Sequence, residues 1–326
     1  MDLDDDDFEM PSRTSPHFRF RNTPKKKHEE DLVNHTGTEK RPLKRRKTGA
    51  HNANRLVIYS EIRKLGQNIG FKCSPHLLFD LLKTLDIDQR KCFDELGFGI
   101  LLSMPNCRLP KDLTVWLVNH FSWKKQALTV RGRTVPIKLL MKKLLGIPDG
   151  PFPVPLPRSK RGKSKCIYPT EEDKEMKDEK GARGLSYKAT YESLISTHDP
   201  VQFKRSFMLY VLCIYFAPSS GHFINLGYSP VMSNVDLIKD MNWRDHVANV
   251  LIEGIREYRD SKAVNVNIHG CVHVLLLIYI DMVKSPILEV PGGCPRVLYV
   301  TTDLLDLLDL SDLKSSSCDG PEYGKL

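Results

Sequence analysis

Apolar residues recur along most of this chain at the three-to-four-residue spacing of helices, broken once by strict alternation. Leu77, Leu78, Leu81, Leu82 and Leu85 form one stripe after Ser74–Pro75. That predicts a helix with serine as N-cap and proline in its first position. A short helix is expected earlier, over Leu56, Ile58, Ile62 and Leu65, and a further one capped by Asp88 and stopping at Gly97. Pro110 opens a helix on which Leu113, Trp116, Leu117, His120 and Phe121 share a face. Leu128–Val130 and Arg133–Val135 then alternate around Arg131–Gly132, which reads as a two-residue hairpin. Gly132 would supply the positive φ, and Leu128, Val130 and Val135 would share a side. Pro136 is expected to begin another helix, with Ile137, Leu140, Met141, Leu144 and Leu145 inward and Gly146 as its C-terminal cap. Its outer face carries Lys138, Lys142 and Lys143, which reads as solvated more readily than as phosphate-binding.

The pattern lapses over 149–186 and resumes near Leu185. GPFPVPLP favours an extended path over helix or sheet. With the mixed charges that follow, it predicts a mobile insertion. Asp199–Pro200 starts a helix that is apolar nearly all round from Phe203 to Phe216, the mark of a central helix. Asn234 caps a short helix containing Leu237 and Ile238. Asn242 caps a longer one with Trp243, Val247, Val250, Leu251, Gly254 and Tyr258 on one face, Gly254 permitting a close approach. A buried helix is expected from Gly270 to Val283. In DLLDLLDLSDL (303–313), Leu304, Leu307 and Leu308 match an LxxLL docking pattern, but a terminal amphipathic helix packed on the domain is the preferred reading. The fold class is therefore mainly α: a multi-helix globular domain over 55–326 with a small β-hairpin, preceded by a disordered tail over 1–54.

Charge changes the picture at the tail. The 326-residue chain carries a net charge of +9, unevenly placed. After the acidic block Asp4–Asp7 come Lys25, Lys26 and Lys27, then Lys40, Arg41, Lys44, Arg45, Arg46 and Lys47. The two clusters are spaced like a bipartite nuclear import signal, with importin as the partner; a basic arm touching phosphates is compatible with that. A third cluster, Arg158, Lys160, Arg161, Lys163 and Lys165, is a candidate for nucleic-acid contact. It has no interleaved aromatic to stack on bases, so sequence-specific single-strand binding is not indicated. The acidic start excludes a secretory signal peptide. The longest apolar run, Cys271–Ile280, falls well short of the roughly 20 residues of a membrane span, and no membrane partner is expected.

Candidate chemistry is sparse. The eight cysteines form no CxxC pair and sit mostly in apolar runs, as buried reduced thiols do. His269, Cys271 and His273 come nearest to a metal cluster, but Cys271 would point away on a helix, and core packing is the preferred reading. His120 reads as a histidine hydrogen-bonded at the core edge. There is no phosphate loop, nucleophile elbow or HExxH. No catalytic residue, cofactor or metal is assigned, and the chain is read as a non-enzyme.

GFGILLSMPNCRLPKDLTVWLVNHF, LTVRGRTVPI and LLGIPDG, with FKRSFMLYVLCIYFAPSS, NWRDHVANVLIEGI and HGCVHVLLLIYIDMV, resemble the plant mobile domain, also called aminotransferase-like, over roughly 90–326. The closing EYGKL resembles the point where that domain gives way to other sequence. The resemblance implies an α-helical domain, a nuclear setting and a role linked to mobile elements or their silencing. It does not carry transamination over, since no lysine stands in a pyridoxal-phosphate context. Nor does it carry over the cysteine protease of longer relatives, for which the chain is expected to leave no room. The expected function is that of a non-enzymatic nuclear protein of transposon origin, acting through protein or chromatin contacts. The alternative is a DNA-processing or transposase-accessory component.

Overall fold

The computed structural model describes residues 68–154, 187–218, 224–283, 285, 288–289, 291–317 and 320–326. The expected tail, the helix near Leu56 and most of the insertion lie outside them. The described elements are mainly helical, as the periodicity predicts. They carry four small sheets, where the sequence suggested a single hairpin.

The chain enters on β1 (Asn68–Phe71) and turns into α1 (Pro75–Thr84). Leu78, Leu81, Leu82 and Leu85 are buried, as the stripe predicts, but Leu77 is exposed. Ser74 stands at the N-cap but does not cap with its side chain: its hydroxyl donates to Lys72 O at 3.0 Å. The next helix, α2 (Ile87–Glu95), is capped by Asp86 instead of Asp88. Asp86 accepts from Gln89 N at 2.8 Å while the Gln89 side chain accepts from Asp86 N, a reciprocal capping box that leaves Asp88 in the first turn. Pro110 precedes α3 (Lys111–Asn119) as expected, with Leu113 and Leu117 fully buried.

A three-stranded antiparallel sheet follows: β2 (Phe121–Ser122), β3 (Ala127–Val130) and β4 (Arg133–Pro136). Pro136 ends β4, paired with Ala127, and does not start a helix. Ile137 N donates to Gln126 O at 3.1 Å, so the ladder's continuation competes with the helix for these residues and holds them. Helix α4 is correspondingly short (Met141–Leu145). It ends at Gly146 in the left-handed region (φ 65°), as the glycine predicts.

The proline-rich stretch is not without structure where it is described. β5 (Phe152–Pro153) pairs in parallel with β6 (Met241–Asn242), and Gly150 N donates to Met241 O at 3.2 Å. A proline at a two-residue edge needs no donor of its own. Between these strands lie α5 (Tyr187–Ser196), α6 (Pro200–Val211) and α7 (Ser229–Met232). Asp199 caps α6 by accepting from Gln202 N at 2.9 Å, and α6 runs on into a π-turn over Leu212–Phe216. Its rings meet those of α2 and the next loop: Phe93–Phe207 at 4.6 Å and Phe98–Phe216 at 5.5 Å.

Asn234 caps the 3-10 turn Val235–Asp240, and Asn242 caps α8 (Trp243–Asp260) by accepting from Asp245 N at 2.9 Å. Gly254 permits the expected approach, since a Cβ there would lie 2.4 Å from His269 O. β7 (Asn265–Ile268) then pairs in parallel with β1 from almost 200 residues upstream, Asn68 opposite Asn265. α9 (His273–Met282) is buried on all sides from His273 to Ile280. α10 (Thr302–Asp312) packs Leu305 and Leu308 inward and runs into β8 (Leu313–Ser317) and β9 (Gly320–Tyr323). The LxxLL residues are thus divided: Leu308 is buried, Leu304 half-buried and Leu307 exposed.

Candidate nucleic-acid interface

Between Asp112 and Asp149 the chain has no carboxylate, yet it carries seven cationic side chains: Lys124, Lys125, Arg131, Arg133, Lys138, Lys142 and Lys143. The fold gathers this run into one module, the β2–β4 sheet with α4. Most of its apolar residues turn inward, with Leu139 left exposed. Phe121, Ala127, Leu128, Val130, Ile137, Met141, Leu144 and Leu145 are buried, so the cations are left on the outside. Six of the seven are exposed, and Lys138 is half-buried.

Strand register divides the cations between two ends. Ala127 opposes Pro136, which puts the Lys124–Lys125 turn and the Lys138–Lys143 segment at one end of the sheet. Val130 opposes Arg133, which puts Arg131 and Arg133 at the other. The ends are about 10–14 Å apart, four residues at roughly 3.4 Å each. At the lysine end Trp123 is half-buried, with Lys124 Nζ 5.5 Å from its ring centre. At the arginine end, Arg133 donates to Met282 O at 3.1 Å and is tied to α9.

The arginine end is also strained. The two-residue turn holds Arg131 at φ 52° and Gly132 at φ 75°. Both central residues of such a turn need positive φ, and Asn-Gly or Gly-Gly supplies it most easily. An arginine in the left-handed region costs roughly 1–2 kcal/mol. Gln126 (φ 52°) is the other non-glycine residue with positive φ among those described, and it lies in this module too. Its strain has a structural use, since its carbonyl accepts from Ile137 N. The Arg131 guanidinium makes no hydrogen bond or ion pair among the described residues.

The contact residues expected from the sequence are others. Lys25, Lys26, Lys27, Lys40, Arg41, Lys44, Arg45, Arg46 and Lys47 lie outside the described residues, as do Arg158, Lys160, Arg161, Lys163 and Lys165. By periodicity Lys138, Lys142 and Lys143 form a lysine face of one helix, and Lys124, Lys125, Arg131 and Arg133 stand out only once the sheet forms. The signal lies in the absence of acid from 113 to 148, which becomes a surface property once most apolar residues of the sheet and of α4 are buried.

Of the His269–Cys271–His273 trio, His269 turns away, while Cys271 and His273 both meet the Tyr215 hydroxyl. His269 Nδ1 lies 3.1 Å from Glu257. Cys271 Sγ lies 3.9 Å from Cys73 Sγ. His273 joins Tyr215 through Nδ1 (3.0 Å) and Cys107 through Nε2 (3.6 Å). Burial depresses His273 to about 3 and is the main cause that pushes Cys107 up to about 12, so a neutral imidazole faces a neutral thiol inside the core. A second buried pair, Tyr228–His246, is joined at 2.9 Å, with His246 depressed by burial to about 4. No group of three or more side chains able to hold a metal ion comes together among the described residues. His120 is hydrogen-bonded as expected, its Nδ1 2.8 Å from Trp116 O, but it is exposed at the end of α3 and does not lie on the buried face.

A family model described as a domain of unknown function, DUF8566, matches residues 71–276 and so takes in the whole basic module. No curated protein and no solved structure matches the chain.

Proposed function

The chain belongs to the DUF8566 family, a domain of unknown function, and from that premise we propose that it is a non-enzymatic nuclear protein that acts by contact with chromatin. In this reading the β2–β4 and α4 module is the contact surface, and its ligand is the phosphate backbone of nucleic acid. The observation that carries the reading is the seven-cation, acid-free run displayed outward by a buried apolar floor. Clustered cations without interspersed acid make a field that attracts polyanions. The resemblance to the plant mobile domain supports the nuclear setting and a transposon origin. The bipartite cluster at 25–47 supports entry through importin, and the 158–165 cluster would add phosphate affinity.

Chromatin fractionation of the full chain in plant nuclei tests the proposal. The full chain should be retained in the chromatin fraction. Reversal of Lys124, Lys125, Lys142 and Lys143 to glutamate should move it to the soluble nuclear fraction. Retention of that variant would refute the assignment of the surface. Import is tested separately: residues 1–50 should carry a reporter into nuclei, and alanine at Lys44, Arg45, Arg46 and Lys47 should stop it.

A further inference from the structure

We propose that the hairpin tip is a minor-groove probe, with Arg131 entering the narrow minor groove of duplex DNA while the lysine end of the same sheet rests on phosphates. This rests on the reading of the module as a nucleic-acid surface and adds the kind of nucleic acid it takes.

Three observations lead there. The tip residue is the wrong one for its backbone, since Arg131 holds a left-handed conformation that asparagine or glycine adopts at lower cost. Strain kept at an exposed position points to a use for the side chain beyond the electrostatic influence Arg131 has on the buried Tyr279 hydroxyl. At Gly132 a Cβ would meet nothing within 4 Å, so this residue of the turn is open to the close approach of a second molecule. The two arginines are also unlike: Arg133 is fixed by Met282 O, whereas Arg131 makes no such bond among the described residues. One guanidinium on a two-residue turn is therefore the leading group of the surface.

The chemistry of that group selects the ligand. A minor groove is about 6 Å wide in ordinary duplex DNA, too narrow for a pair of strands but open to one extended side chain. A·T-rich tracts narrow it further and deepen its negative potential, which draws in arginine. The lysine end, about 10–14 Å away along the strands, is then placed to reach a phosphate strand beyond the groove that the tip occupies. Double-stranded RNA offers a wide, shallow minor groove and would not grip a single guanidinium in this way.

Arg131→Asn tests the proposal, because asparagine suits the turn and removes only the guanidinium. Full-length protein and the variant are titrated with an A·T-tract duplex, a G·C duplex of equal length, double-stranded RNA and heparin, and thermal midpoints are recorded. The native chain should prefer the A·T tract by about tenfold, the size of one good groove contact. Arg131→Asn should abolish that preference, lower heparin affinity only slightly, and leave the thermal midpoint equal or higher. An equal loss on all four ligands would overturn the inference, making Arg131 one more phosphate contact and leaving the chromatin reading in place. RNA bound as tightly as the A·T tract, with the same loss in the variant, would overturn the choice of duplex DNA. Absence of affinity for every polyanion would overturn this inference and the module's assignment together.

Discussion

Two stretches of this chain have almost opposite charge and the same hydrophobic logic. The β2–β4 and α4 module has seven cations and no acid between Asp112 and Asp149. Helix α10 has four aspartates and no cation between Thr302 and Asp312. Both lay leucines inward and charge outward, but α10 also sends one charge in. Asp312 is fully buried, and its carboxylate accepts from Tyr279 OH, from Gly324 N at 2.9 Å and from Leu326 N at 2.8 Å. A buried carboxylate is tolerable only when answered by donors in this way. Through Asp312 the acidic helix ties down the closing strand and its end. In the module no charge is fully buried. The difference teaches where to look for contact: charge turned inward and answered is structure, and charge turned outward without an acid beside it is available.

Breaking the inward side should have the largest effect. Asp312→Ala removes the acceptor of three donors and should cost about 3–5 kcal/mol, since it strands buried groups of a hydrogen-bonded network. Urea unfolding measures it, and a loss below about 1 kcal/mol would mean the network is not a tie.

Acid should act next. His246 and His273 have folded-state values near 4 and 3, depressed by burial, against about 6.5 when unfolded. Between those values the unfolded chain binds more protons, so stability is intact above about pH 6.5 and falls as pH drops through the window. Each histidine should remove about 2 kcal/mol between pH 7 and pH 5. A flat urea midpoint over that range would contradict their burial as neutral groups.

Gly254→Ala forces a methyl to 2.4 Å from His269 O, and should cost about 1–3 kcal/mol by overpacking. The midpoint should shift with no change in denaturant slope. Smallest of all, reversing Lys142 and Lys143 to glutamate should change stability by less than about 0.5 kcal/mol, as exposed charges do. A larger loss would make the outward cations structural and dissolve the contrast with α10.

What was legible in the sequence follows the same division between local and distant causes. Asp199, Asn234 and Asn242 announce their helices because a cap needs only the next three residues. Arg131–Gly132 announces its turn, and Gly146 its helix end, for the same reason. Pro136 misleads because its role is decided by Ala127 across the ladder. Asp88 misleads because the Asp86–Gln89 box takes the cap, whereas Ser74 stands at the N-cap as expected but turns its hydroxyl to Lys72 O. The pairing of β1 with β7, and the meeting of Cys73 with Cys271 and of Cys107 with His273, join residues 166 to 198 positions apart; no local spacing encodes them. The module lay between these cases, its cations plain in the sequence but its single surface made only by folding.

The central claim is that this surface binds phosphate, and the salt dependence of duplex DNA binding tests it most directly. For the full chain, log Kobs should fall steeply with log salt, and the slope should become shallower by about 3–4 when Lys124, Lys125, Lys142 and Lys143 are glutamate, because each phosphate contact contributes about 0.9. An unchanged slope in that variant, with binding carried elsewhere in the chain, would contradict the account.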